Sequence, residues 1–271
     1  MNVVEANGAR IPLVGLGTWD LRGSDCARLV EHAIGLGYRH IDTAQMYDNE
    51  KEVGEGVRAS GRRNAVTVVT KVHPENMKPA DLARSVKESL ARLKIDVIDI
   101  LLLHWPNKAV PLADTIGALC QMKREGHARH IGVSNFNTAL LDQATKLATE
   151  PLVCNQFETH PFLDTAKTIA ATRSHGMAVV AYSPIARGGA SGNAVLARIG
   201  AKHGKSAAQV SLRWLVQQEI VVIPRTHRPE RLQENFAVFD FALSDDEMRE
   251  IATLTKANGR IVDWQYSPQW D

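Results

Sequence analysis

A chain of 271 residues, 44% apolar and 23% charged, is long enough to bury a large core. Its formal charge of +2 leaves no broad basic face, which argues against nucleic acid as a partner. Cys26, Cys120 and Cys154 lie far apart with no CxxC pair, so neither a disulfide framework nor a metal site is expected. The start MNVVEANGARIP lacks the basic stretch and apolar run of a signal peptide. The most apolar stretch, IDVIDILLL, is interrupted by Asp96 and Asp99, so no membrane span is expected. These features point to a protein of a reducing cytoplasm.

VVEANGARIP reads as a β-hairpin, with Asn7-Gly8 supplying the positive φ angles of a type I′ turn. Short apolar runs then alternate with longer amphipathic stretches. The predicted strands are VGLGTW, YRHIDTA, AVTVVTK, VIDILLLH, ARHIGVSN, LVCNQFE, MAVVAYS and IVVIPRT. Helical patterns fall at 24–36, 50–60, 79–93, 111–126, 137–149, 164–175 and 206–218. Ser24 is expected to cap the first helix, Gly37 and Gly61 to end the first two, and Pro79 to open the third. Eight βα repeats predict an α/β fold, a (β/α)8 TIM barrel, with a doubly wound open sheet as the rival built on the same alternation. No linker-like segment divides residues 1–271, so one domain is expected. The ending ANGRIVDWQYSPQWD breaks the pattern, and its Trp264, Tyr266 and Trp270 are expected to pack as a tail near the barrel mouth.

In such a barrel the loops after the strands form the active face. Asp42, Tyr47, Lys71 and His104 follow the second, third and fourth strands. Each alone has an ordinary explanation: a turn cap, a packed phenol, a solvated ammonium and a core histidine. Adjacent strand ends would bring them together. A tyrosine hydroxyl, with a pKa of about 10, is a reluctant acid at neutral pH. A neighbouring Lys71 ammonium is expected to stabilise the phenolate and lower that value, with Asp42 holding Lys71 charged and in place. His104 would then orient a carbonyl while Tyr47 donates a proton as hydride reaches the carbon. A rival use of Lys71, as a Schiff-base nucleophile, requires a neutral amine, which Asp42 opposes.

The hydride source is not a Rossmann site. Gly35-Leu-Gly37 and Gly54-Glu-Gly56 lack a third glycine, and the first string precedes a strand instead of following one. Later strand ends offer alternatives. Ser134, Asn135 and Gln156 suit a carboxamide, and Tyr182 offers a flat face to a nicotinamide ring. Arg225, Thr226, Arg228 and Arg231 surround the start of a helix, a natural phosphate site. A phosphate on the adenosine ribose would select NADPH over NADH.

The motifs GLGTW, HIDTAQMYDNE, VTVVTKVHP, LLLHWP, IGVSNF, NQFETHP, AYSP and IPRTHRPERLQEN, in this order, make the chain resemble the aldo-keto reductases nearly end to end. The resemblance implies a (β/α)8 barrel that binds NADP(H) across its mouth and reduces aldehydes or ketones, commonly as a monomer. It implies catalytic roles for Asp42, Tyr47, Lys71 and His104, with Tyr47 as proton donor. It assigns the carboxamide to Ser134, Asn135 and Gln156, and nicotinamide stacking to Tyr182 with Ser183 beside it. Arg225, Thr226, Arg231, Glu234 and Asn235 would grip the adenosine end, and Trp19, Tyr47, His104 and Trp105 would line the substrate pocket. The short length and the SPQWD ending resemble the 2,5-diketo-D-gluconate and methylglyoxal reductase branch, hence small polar carbonyl substrates. Two departures stand out: Arg225 replaces a common lysine, and His73 replaces a common tryptophan in the pocket. An alternative use of the same barrel is nucleotide sensing, or a structural role, with little turnover.

Overall fold

The computed structural model describes residues 2–256 and 258–271. Strands β1 (Val3–Ala6) and β2 (Ala9–Pro12) pair as an antiparallel hairpin. Asn7 and Gly8 take φ of 46° and 86°, the left-handed pair that a type I′ turn requires. The Asn7 amide donates to the carbonyls of Leu152 and His175, at 2.7 and 3.1 Å, pinning the hairpin beneath two later strands.

Eight parallel strands follow: β3 (Leu16–Gly17), β4 (His40–Asp42), β5 (Thr67–Val72), β6 (Ile98–Leu103), β7 (Ala128–Ser134), β8 (Leu152–Glu158), β9 (Ala178–Tyr182) and β10 (Val221–Val222). They neighbour one another in strict chain order. A parallel bridge between Val14 and Val222 joins the first to the last, with Val222 N–H donating to the Leu13 carbonyl at 2.8 Å. The sheet therefore closes, and the open doubly wound alternative is excluded. Asn7 marks the end of this barrel opposite the loops that follow the strands.

Between the strands run α1 (Gly23–Leu36), α2 (Glu50–Ala59), α3 (Pro79–Leu93), α4 (Leu112–Arg124), α5 (Thr138–Leu147), α6 (Ala166–Ser174), α7 (Ala194–His203) and α8 (Ala207–Val216), with α9 (Pro229–Phe236) and α10 (Asp245–Ala252) after β10. Gly37 ends α1 in the left-handed region, and Pro79 opens α3, as expected. Ser24 is not the cap of α1. The helix begins one residue earlier, where Gly23 at φ 55° turns the chain in, and Arg22 occupies the cap position without a side-chain bond. Helices α7 and α10 lie outside the predicted segments. Gly54 and Gly56 serve packing: a Cβ on Gly54 would lie 2.1 Å from the Leu93 carbonyl oxygen, and one on Gly56 2.4 Å from that of Ala27. Only glycine lets α2 approach its neighbours so closely.

Candidate active site

The loops after β4, β5 and β6 bring together the four residues singled out above. Asp42 ends β4, Lys71 is the last residue but one of β5, His104 follows β6, and Tyr47 closes a short 3-10 turn at Gln45–Tyr47. The Lys71 and Asp42 side chains are 0% and 1% exposed. The ammonium donates to Asp42 Oδ1 at 2.5 Å and to the Thr43 carbonyl at 2.8 Å. Gln156 Nε2 donates to the other carboxylate oxygen at 2.8 Å. Lys71 Nζ sits 5.0 Å from the centre of the Tyr47 ring, and the Tyr47 and His104 rings meet edge to face at 5.5 Å.

Burial dominates the electrostatics. It pushes the Tyr47 phenol well above its ordinary value, and the Asp42 charge adds to the effect. It lowers Lys71, with Asp42 pulling the other way. The expected downward tuning of Tyr47 by Lys71 is thus outweighed in the free protein, because the same enclosure that seats the ammonium also desolvates the phenolate. Tyr47 carries its proton at neutral pH. Burial, then the charges of Lys71 and His73, holds His104 well below the usual histidine value, so its imidazole is neutral. Among the described residues, His104 Nδ1 is buried without a hydrogen-bond partner. We assign the proton to Nε2, since an orphaned buried N–H is the rarer and costlier arrangement.

The positions expected to hold a carboxamide form one network. Tyr182 Oη donates to Asn135 Oδ1 at 2.8 Å, and the Asn135 amide donates to the His104 carbonyl at 2.9 Å and to Ser134 Oγ at 3.1 Å. Ser134 Oγ donates to the Gln156 carbonyl at 2.7 Å. Asn135 and Ser183 adopt φ of 62° and 51° just after β7 and β9. Non-glycine residues in that region cost about 1–3 kcal/mol and cluster at functional sites. This network touches the catalytic group directly, through Gln156 on Asp42.

Further round the rim, a cavity of about 390 Å³ is lined by Arg225, Thr226, Arg228, Arg231 and Asn235 at the start of α9. Three guanidiniums, a hydroxyl and a helix N-terminus fit a phosphate monoester. The donor set therefore fits the phosphorylated dinucleotide that the sequence suggested. Arg231 pairs with Glu234 at 2.9 Å, and Glu234 also accepts from Ser206 Oγ at 2.6 Å. Trp19, expected in the substrate pocket, is 46% exposed and stands between the guanidiniums of Arg187 and Arg225, 5.1 and 5.3 Å from its ring.

Several residues of this face had no predicted role. Arg187 is one. Glu158, the last residue of β8, is fully buried and accepts from the backbone N–H groups of Ile261 and Val262 at 2.7 and 2.8 Å, with His160 Nε2 at 3.0 Å. Asp271 accepts from Thr138 N–H and Oγ1 and from Thr168 Oγ1, at 3.0, 2.8 and 2.9 Å. These two anchors stretch the tail across the mouth, where Trp264 and Trp270 meet Trp105 edge-on at 6.0 and 6.3 Å. The aromatic spacing forecast the covering; the carboxylate anchors carry no local signal, because the bonds between tail and barrel join residues more than 100 apart.

The chain belongs to the aldo/keto reductase family, whose model matches residues 13–256. It is 38% identical over 266 residues to the methylglyoxal reductase DkgB of Escherichia coli O157:H7, covering 96% of this chain and 99% of that one. It is 38% identical over 252 residues to the glyoxal reductase of Bacillus subtilis (strain 168), with 92% and 91% covered. A crystal structure provisionally described as a 2,5-diketo-D-gluconic acid reductase B superposes with a TM-score of 0.98 at 46% identity, over 100% of this chain and 98% of that one. The protein is an oxidoreductase of the carbonyl-reducing kind, a class that works with a nicotinamide cofactor. Among the described residues no helix is long and apolar enough to cross a membrane, and no group of side chains is arranged to hold a metal ion.

Proposed function

We propose that this protein is an NADPH-dependent reductase of small polar carbonyl compounds, 1,2-dicarbonyls and keto-sugar acids, acting as a single-domain monomer in the cytoplasm. The observation that carries this reading is the Tyr47 phenol, set against the buried Lys71–Asp42 pair and edge-on to the His104 ring. NADPH, when bound, supplies the hydride. His104 Nε2–H donates to the substrate carbonyl oxygen and polarises it. Tyr47 gives its proton to that oxygen, and the adjacent Lys71 ammonium stabilises the phenolate left behind. Asp42 holds the ammonium in place, and Gln156 ties that carboxylate to the nicotinamide side. Ser134, Asn135 and Gln156 would hold the carboxamide, with Tyr182 and Ser183 against the ring. Arg225, Thr226, Arg231 and Asn235 would hold the adenosine phosphate, with Glu234 orienting Arg231. Trp19, Trp105 and the tail would enclose the substrate.

The names of the relatives, a methylglyoxal reductase and a glyoxal reductase, support the dicarbonyl class. A Schiff-base role for Lys71 does not suit a side chain with no exposed surface that donates to two oxygens. The test is purified protein with NADPH and a panel of aldehydes, dicarbonyls and keto-sugar acids, compared by kcat/KM. The reading expects turnover with dicarbonyls and a clear preference for NADPH over NADH. Tight NADPH binding with no turnover on any carbonyl would leave the sensing role as the better account.

A further inference from the structure

His73 is the polar side chain at the catalytic rim that the mechanism leaves without a role. Its direction follows from β5. Lys71 points into the barrel end towards Asp42, while Val72 packs outward in the core shared with Met77, Leu82 and Val86. Side chains alternate along an extended segment, and His73 keeps an extended backbone at φ −62°, ψ 140°. It therefore falls on the Lys71 side, one step nearer the mouth. Two catalytic loops hold it there. Its N–H donates at 2.8 Å to Gln45 Oε1, in the turn that carries Tyr47. The next carbonyl, that of Pro74, accepts at 2.8 Å from Asn107, three residues after His104.

The ring is oriented as well as placed. Its Nδ1 accepts from the Glu75 N–H at 3.2 Å, capping the short 3-10 turn at Pro74–Asn76. A nitrogen that accepts a hydrogen bond offers its lone pair, so the proton of the neutral ring lies on Nε2. Among the described residues, no protein group bonds that Nε2.

We propose that His73 is a specificity residue whose Nε2–H donates to an oxygen on the carbon next to the reacting carbonyl. It would select 1,2-dicarbonyls and α-hydroxy ketones over plain aldehydes and ketones. A site built around a fixed donor rejects a substrate lacking the acceptor, because the donor is then left unpaired. This rests on the reductase reading above.

The test compares kcat/KM for methylglyoxal and for propanal, a chain of equal length without the second oxygen, in wild type, His73→Phe and His73→Gln. Hydration of either substrate cancels, because only the change in their ratio between variants is read. The expected result is a fall of about tenfold in the methylglyoxal-to-propanal ratio for His73→Phe, the size of one hydrogen bond. Propanal turnover and NADPH affinity should stay near wild type, and His73→Gln, which keeps an N–H donor, should recover most of the ratio. An unchanged ratio in His73→Phe, with wild type reducing both substrates, would overturn the role of His73 alone. No turnover of either substrate by wild type would overturn the reductase reading and this inference together.

Discussion

The two halves of the barrel mouth are built on different physical terms. On the β4–β6 side, Asp42 and Lys71 are buried and locked by short bonds to one another and to the Thr43 carbonyl, and His104 is buried beside them with its backbone carbonyl held by Asn135. On the β9–β10 side the charged groups are partly exposed and paired loosely. Arg225 lies 3.8 Å from Asp20 with 31% of its side chain exposed, and Arg231 is 44% exposed beside Glu234. The first half is preorganised, so its reacting groups need no rearrangement at the moment of proton transfer. On the proposed reading, the second half keeps its charges in solvent until a cofactor phosphate takes its place among them. Chemistry that requires a fixed proton donor has been given a dry site, and binding that requires entry and release a wet one.

The sharpest test of the dry half is its buried ion pair. Lys71→Met leaves Asp42 charged, buried and short of its main partner, which should cost about 3–5 kcal/mol in urea unfolding. The double variant Asp42→Asn/Lys71→Met should recover a large part of that loss. Strictly additive losses would show that the two groups do not act as a pair.

Arginine removal on the wet side should behave oppositely. Arg231→Ala is expected to weaken NADPH binding about tenfold, with little change in NADH binding or in melting temperature. Equal losses for both cofactors, by fluorescence titration, would remove Arg231 from the phosphate site.

The smallest effect is a pH dependence. His40 and His104 are both held neutral in the fold by burial, with folded values below that of the unfolded chain, about 6.5. Below pH 6.5 the unfolded chain binds protons that the folded chain refuses, so stability falls as pH drops through that value. His104, held well below that value, should contribute about 1 kcal/mol of loss between pH 6.5 and 5.5, and His40 acts in the same direction. His104→Gln should flatten the unfolding profile over that window; an unchanged slope would show that His104 is not held neutral.

The legibility of the sequence followed the same division. All eight barrel strands, seven helices and the hairpin turn could be read from apolar runs and turn residues, since these are local signals. The S-x-x-E of Ser244 and Glu247 is a capping box that opens α10 and was readable in principle. The helix lies beyond the last βα repeat, outside the alternation that marks the other elements. The four proposed catalytic residues were legible because they sit at or soon after strand ends, whose common location a closed barrel dictates. Tyr47's electrostatics were not, because the balance between the Lys71 charge and desolvation depends on how completely the site is enclosed. The Glu158 and Asp271 anchors were equally hidden, since each bonds to partners brought near only by the finished fold.

The central claim is that Tyr47 supplies the proton and contributes nothing essential to cofactor binding. Tyr47→Phe removes one hydroxyl and leaves the packing of the ring intact. The account predicts an NADPH Kd within about twofold of wild type and a fall in single-turnover carbonyl reduction of roughly 10²- to 10⁴-fold, the usual contribution of a general acid. Reduction within about tenfold of wild type at unchanged NADPH affinity, below the usual contribution of a general acid, would contradict it.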